Sequence, residues 1–474
     1  MNTRNPYNGL FDYELVATPP AEIVATCERL RASQPAWQAA GLEYRAAVLR
    51  EFAAAAEHLR DELVGALSRD TGRYGLSLAE AALVPKIDRE IVNARRWLAA
   101  EQGPVTHVGV VSAEQVFTPY SLVVNITPWN FPLSLSLLDT IPALLAGCAV
   151  AVKPSEITPR FIDVMEKILQ RVPALSSVLA YVRGDAMAGG VLVNKADFVC
   201  FTGSTRTGRM IQKEAARRAV PASLEMGGKD PMIVLPDADP EQAAIAAVMA
   251  SCLASGQICT SIERIYVHAM IHDAFVRELV RYASRAELNC DDFRRGLIGP
   301  FILERQAVVV QDHIEDALAG GAKLLCGGKL VHRGGIWCPP TVLTDVDHTM
   351  KVMREETFGP VMPVMAYGTT EQAVALANDS SYGLNSLVFG RDLEQATNVA
   401  RHLRVGGVAV NRPALPVMYR EFEQDGRGDS GGGPSRMGRS GLLRFLRSTA
   451  IFAAVDQIDF RADAAIRSAL GIDQ

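Results

Sequence analysis

Cys259, within the stretch Ser255 to Thr260 (SGQICT), is the residue of this chain best suited to act as a nucleophile, standing among small, polar and turn-forming neighbours. A thiol of ordinary pKa, about 8.5, is only a few per cent ionised at neutral pH, so such a site needs a base or a positive field beside it. Glu225 in LEMGGKDP, 34 positions upstream, is the candidate base. The two glycines that follow Met226 let backbone pack closely enough for a carboxylate to approach a reacting centre. Asn130 in TPWNFP offers a side-chain amide that either donates to a developing oxyanion or caps the turn. A thiol, a carboxylate and an amide of this kind suit covalent catalysis on an electrophilic carbon.

These residues need a scaffold larger than one compact core. The chain has 474 residues and reads as two or three domains. Its hydrophobic content of 49% and charged content of 21% are those of an ordinary globular protein. A net charge of −5 argues against nucleic acid or an anionic membrane as partner, since either needs a basic face. The N-terminus, MNTRNPYNGLFDYE, has no apolar run behind a basic start. The longest apolar region, Leu133 to Val152, is interrupted by Asp139, Pro142 and Gly147, and reads as a buried helix followed by a strand rather than a membrane span. Eight scattered cysteines without a CxxC pair fit reduced thiols, and a cytoplasmic protein is expected. The histidines are dispersed, and no metal site is expected.

The apolar periodicity from Pro20 to about Ala100 predicts amphipathic helices that cover a sheet. From Val105 to Val124 the pattern changes to that of a strand hairpin, an exposed edge that a second subunit could cover. The strand Leu122 to Ile126, a helix and the strand AVAVK form a crossover unit of a parallel sheet, at whose carboxyl ends ligands collect. Lys153 and Glu156 close the second of these strands, where such a pair can hydrogen-bond a ribose diol. DFVCFTGSTRTG is a third strand, a turn and a helix start. It retains Gly203 and Gly208 of a GxGxxG fingerprint but has Thr205 at the centre, and Ser204 adds a hydroxyl beside the helix N-terminus, where free backbone donors suit pyrophosphate. A second α/β unit opens with DPMIVL, and a helix starting at Asp239 or Pro240 delivers the Cys259 loop. Val417 to Arg439, rich in glycine and charge, reads as a mobile loop, either a lid or inert.

Taken together, SGQICT, LEMGGKDP, TPWNFP, FTGSTRTG and EETFGP make the chain, from about residue 20 to about residue 455, resemble the NAD(P)-dependent aldehyde dehydrogenase superfamily. The resemblance implies an α/β fold of two Rossmann-like parallel-sheet domains, cofactor and catalytic, plus a small β oligomerisation element. It places residues 1–104 and 120–227 in the NAD(P)-binding domain, 228–445 in the catalytic domain, and 105–119 and 446–474 in the oligomerisation element of a homodimer or homotetramer. It implies oxidation of a small-molecule aldehyde to the acid, with Cys259 as nucleophile, Glu225 as the base that activates water and Asn130 in the oxyanion hole. Cofactor contacts fall on Ile126, Thr127, Pro128, Trp129, Lys153, Ser155, Glu156, Gly203, Ser204, Gly208, Glu356 and Phe358. The substrate pocket falls on Phe131, Leu138, Ile258, Thr260 and Asn411. Glu156 would repel a 2′-phosphate and favours NAD, whereas Arg206, where relatives carry an acid, keeps NADP open. Phe131 and Leu138 suggest an apolar aliphatic or aromatic aldehyde; Arg412 and Arg420 leave a carboxylate-bearing semialdehyde as the alternative. An acylating reductase has no need of Glu225, and a silent structural relative has no need of Cys259.

Overall fold

The computed structural model describes residues 1–101, 106–108, 111–454 and 464–471. Two mainly parallel sheets organise it. The first has six strands in the spatial order Gly431–Gly432, Ala222–Glu225, Phe198–Thr202, Leu122–Ile126, Ala149–Lys153 and Leu179–Tyr181. All neighbours are parallel except the short Gly431–Gly432 strand, which runs antiparallel to Ala222–Glu225. LVVNI, AVAVK and FVCFT are buried along their whole length, as expected of strands covered on both faces. The helices Pro20–Ala39, Gly41–His58 and Arg60–Thr71 share one apolar core with them.

The second sheet has seven strands in the order Lys323–Cys326, Thr341–Thr344, Val361–Tyr367, Ile262–His268, Asp230–Val234, Asn385–Phe389 and Gly407–Val410. Only its first pair is antiparallel. The two-residue period of a strand sorts its side chains. Ile233, Tyr266, Leu343 and Val388 enter one core, while Met232, Ile265, Val342 and Leu387 enter the other. Each buried aliphatic contributes roughly 1.5–3 kcal/mol, so a one-residue slip of any central strand would exchange two cores. A third, antiparallel sheet pairs Leu446–Ala454 with Val111–Pro119, and that strand with Thr106–Val108. Residues 105, 109–110, 455–463 and 472–474 of the expected oligomerisation element, and 102–104 of the expected NAD(P)-binding domain, lie outside the described residues.

Two expectations are corrected. The apolar run after Leu133 forms two seven-residue helices, Pro132–Leu138 and Thr140–Ala146, rather than one. Pro142 has no N–H to offer Leu138 and its ring would clash with that carbonyl, so the helix breaks at Asp139. The glycine-rich segment is not loose. Arg427–Gly428 pairs with Tyr382–Gly383, Gly431–Gly432 joins the first sheet, and Ser430 is buried. Its glycines answer close backbone approaches: a Cβ at Gly433, whose φ is +86°, would lie 2.0 Å from the Ala222 carbonyl oxygen. The segment also carries Leu442 and Phe445 into the first core, although the sequence reading placed residues up to 445 with the second unit.

Candidate active site

The nucleophile loop leaves the helix Pro240–Cys252, whose N-terminus is capped by Asp239 accepting from Glu241 N and Gln242 N at 2.9 and 3.1 Å. Ala254, Ser255 and Gly256 then take φ values of 53°, 61° and 71°, three successive left-handed residues. For the two non-glycine residues this costs on the order of 1–2 kcal/mol each, which surrounding contacts must offset. Ser255 Oγ donates to Gly299 O at 2.8 Å, Gln257 Nε2 to Pro300 O at 3.1 Å, and Ile302 N to Gln257 Oε1 at 3.0 Å. A Cβ at Gly256 would lie 2.3 Å from the Gly359 backbone. The small and polar residues before Cys259 are therefore required by a tight turn wedged against two other chain segments. Cys259 itself is half-buried.

Asn130 sits beyond the carboxyl end of the Leu122–Ile126 strand. It is buried, and its Nδ2 donates to Gln257 O at 3.0 Å, which fastens the first sheet to the nucleophile loop. An amide NH₂ has two protons, so one donor remains for an oxygen bound near Cys259. Arg73, which the sequence reading missed, reinforces the junction. Its buried guanidinium donates to Asn130 O and Ala254 O and lies 5.1 Å from the Phe131 ring centroid. Burial pushes that guanidinium down to about 10, against the pull of Glu80.

Glu225 ends the Ala222–Glu225 strand, opposite Thr202 on one side and Gly431 on the other. Burial pushes its carboxyl up to about 7, Arg436 and Arg444 oppose this, and Asp139 and Asp425 add to it. The Cys259 thiol is pushed up to about 12 by burial and by the carboxylates of Glu225, Asp230 and Glu356. The resting pair is thus a protonated thiol beside a carboxyl poised near neutrality, which suits proton transfer at physiological pH.

The glycines of LEMGGKDP allow close packing against both Cys259 and Glu356. A Cβ at Gly227 would lie 2.4 Å from the Glu356 carboxylate, and one at Gly228 would lie 2.7 Å from Cys259 O. Gly228 N donates to Glu356 Oε1 at 3.2 Å, and burial pushes the Glu356 carboxyl up to about 8. Phe358, with φ 52°, stands edge-on to Trp129 at 5.4 Å between ring centroids. A buried pair that sequence reasoning passed over holds this turn: Lys229 Nζ meets Glu263 Oε2 at 2.7 Å, and Glu263 accepts from Thr357 N and Phe358 N at 2.7 and 2.8 Å. Its signal was present in the charges of IERIYVH, where a fully buried strand calls for apolar residues.

A cleft of about 130 Å³ brings together Pro128, Trp129, Asn130, Gly203, Ser204, Cys259, Glu356 and Phe358. The other expected cofactor residues do not line it. Lys153 Nζ reaches Glu156 Oε2 at 3.2 Å, Thr127 Oγ1 is buried without a protein partner among the described residues, and Ile126 is buried in the strand. Ser204 Oγ caps the helix Thr205–Arg217, Ser155 Oγ accepts from Ile157 N, and Gly208 packs on Met226. Ile258 and Thr260 flank Cys259 but line a second cavity, of about 210 Å³, with Met249, Leu253, Leu387 and Pro413. Three expected pocket residues stand elsewhere. Phe131 stacks on Arg73, Leu138 faces a small separate cavity with Glu90 and Arg420, and Asn411 Oδ1 accepts from Gly390 N at 2.8 Å to close a turn.

The sequence profile of the aldehyde dehydrogenase family matches residues 1–451. The chain is 40% identical over 328 residues to the 4,4′-diapolycopene aldehyde oxidase of a Methylomonas species; the match covers 69% of this chain and 61% of that protein. The solved PutA structure from Anabaena variabilis superposes with a TM-score of 0.94 at 45% identity, covering 97% of this chain and 98% of that one. A betaine aldehyde dehydrogenase from Staphylococcus aureus, solved in complex with NAD+, superposes with a TM-score of 0.88 at 29% identity, covering 98% and 93%.

Proposed function

Because this chain belongs to the aldehyde dehydrogenase family, we propose that it oxidises an aldehyde to the carboxylic acid with NAD(P), through a thiohemiacetal and then a thioester on Cys259. One observation carries the assignment of residues: Cys259 lines the cleft that holds several of the expected cofactor residues, while its two neighbours line an apolar cavity on the other flank of the same loop. The Cys259 sulfur, once deprotonated, adds to the aldehyde carbon, and the oxyanion accepts hydrogen bonds from the free Asn130 amide N–H and a backbone N–H of the loop. Glu225 removes a proton from the water that attacks the thioester, releasing the acid and restoring the thiol. The cofactor, when bound, supplies the hydride acceptor and a cationic ring.

The residues present fit a dinucleotide. The 13-residue helix Thr205–Arg217 opens beside Gly203 and Ser204 at the cleft, a place for pyrophosphate. Thr127 Oγ1 is a buried polar atom with no protein partner among the described residues, at the adjoining strand end, and Lys153 and Glu156 present a cation and a carboxylate for ribose hydroxyls. Glu156 favours NAD over NADP, because a 2′-phosphate there would meet a carboxylate.

The favoured substrate is an apolar aliphatic or aromatic aldehyde. Among the described residues none that lines the 210 Å³ cavity is charged; of the two candidate carboxylate binders, Arg420 stands at the separate Leu138 cavity and Arg412 is not among the residues lining the 210 Å³ cavity. The relative named for diapolycopene aldehyde supports the same choice. The cofactor domain of this proposal comprises 1–104 and 120–227 with the returning segment from Gly431 to Phe445; the catalytic domain is the rest of 228–445. Residues 105–119 and 446–474 form the oligomerisation element of a homodimer or homotetramer. Among the described residues no helix is long and apolar enough to cross a membrane, and the proposed compartment is the cytoplasm. Incubation with NAD or NADP and a panel of aldehydes, followed by NAD(P)H absorbance, tests the proposal. Turnover is expected with wild type and none with Cys259→Ser; a Cys259→Ser enzyme of normal rate would refute it.

A further inference from the structure

A buried ion cluster stands behind the Glu225 strand, and the reaction as described leaves it without a task. Asp139, at the break between the two helices, is almost wholly buried and pairs with both Arg436 and Arg444, themselves buried. Arg436 also donates to Thr202 Oγ1 at 2.9 Å, and Thr202 is the residue in register with Glu225 on the neighbouring strand. Arg444 donates to Ser223 Oγ at 2.6 Å, two residues before Glu225 on the same strand. The segment that delivers both arginines is laced to Glu225 by backbone as well: Gly431 pairs with Glu225, and Met226 N donates to Ser430 O at 2.8 Å. Two guanidinium groups against one carboxylate leave a surplus positive charge away from water, which calls for another anion. Among the described residues no protein group donates a hydrogen bond to the Glu225 carboxylate, so the two guanidinium groups act on it through space.

We propose that Arg436 is a positioning residue for the water-activating step: anchored by Asp139 and Thr202, it fixes the end of the Glu225 strand and presents a cation toward the Glu225 carboxyl. This rests on the reading of Glu225 as the base. The charged and titratable groups that face Glu225 are Arg436 and Arg444 from the returning segment, Asp425 ahead of it, Asp139 from the helix break and Cys259 from the nucleophile loop. Of these, Arg436 acts on the carboxyl more strongly than any other, and in the direction of ionisation. The arrangement explains why a segment with the composition of a loose loop is instead closed onto the first sheet: it carries the counter-charge of the base.

The test follows acyl-enzyme decay as a function of pH in single-turnover experiments. Arg436→Met is expected to move the acid limb of that decay up by about one pH unit, which slows decay roughly five-fold at pH 7. Arg436→Lys is expected to hold the limb within a few tenths of a unit. In a Glu225→Gln background, Arg436→Met is expected to change the residual decay less than two-fold. An unshifted limb in Arg436→Met overturns the proposal while leaving Glu225 as the base. An equal loss in both backgrounds does the same, since it marks a merely structural role. Wild-type acyl-enzyme decay in Glu225→Gln overturns the base assignment and this proposal together.

Discussion

At the scale of single residues, burial governs the charge of both Glu225 and Cys259. It pushes the carboxyl up to about 7 and, with the Glu225, Asp230 and Glu356 carboxylates adding to it, the thiol up to about 12. The base acts only when ionised, so the rate of thioester hydrolysis is expected to rise with pH through about 7 and to fall below it. Replacing Glu225 with Gln is expected to slow acyl-enzyme decay by about 10²–10⁴-fold while a first-turnover burst of NADH persists. A normal steady-state rate with no enlarged burst would contradict that role. The proposed nucleophile, base and amide stand out in the sequence because each sits in a motif whose neighbours are small or turn-forming. Arg73 was not, because its partners Asn130 O and Ala254 O are distant in the chain and nothing local marks a buried arginine.

Among elements, the two turns that bring chemistry to the cleft are held by buried polar groups rather than by their own propensity. The EETFGP turn hangs on Glu263, which Lys229 neutralises at 2.7 Å. Lys229→Met would leave that carboxylate uncompensated, and a loss of about 3–5 kcal/mol in chemical denaturation is expected, with weakened cofactor binding. The Cys259 loop depends on Gly256, whose φ of +71° and 2.3 Å clearance to Gly359 exclude a side chain. Gly256→Ala is expected to displace the nucleophile and reduce kcat at least about ten-fold, since a shift of one ångström costs up to about 10²-fold, while far-ultraviolet circular dichroism stays unchanged. Helix and strand alternation predicted these elements from apolar period alone. The break at Asp139 needed Pro142 to be weighed against an otherwise continuous apolar run.

For the whole molecule, the site exists only where the two sheets meet. Asn130 and Glu225 come from the first, whereas Cys259, Glu356 and Phe358 come from the second, and the Asn130–Gln257 hydrogen bond crosses between them. The third sheet is the proposed oligomerisation element. Its strand Leu446–Ala454 is exposed for nearly its whole length, with Ile451 and Phe452 at 47% and 70% exposure, an apolar edge that invites a second copy. Ile451→Asp together with Phe452→Asp is expected to lower the mass found by light scattering to that of a smaller assembly; an unchanged mass would place the interface elsewhere.

The residue types for thiol chemistry, the order of the motifs and the alternation that builds parallel sheets are properties of local sequence, and they were determined there. They are short-range because strand burial and turn chemistry depend on a few neighbouring side chains. The tertiary structure alone decided which cations face Glu225, that Leu138 and Asn411 stand away from the cavity beside Cys259, and that the glycine-rich segment closes onto the first sheet. Those outcomes depend on contacts between residues hundreds of positions apart, such as Asp139 with Arg436, whose energies no local window of sequence contains.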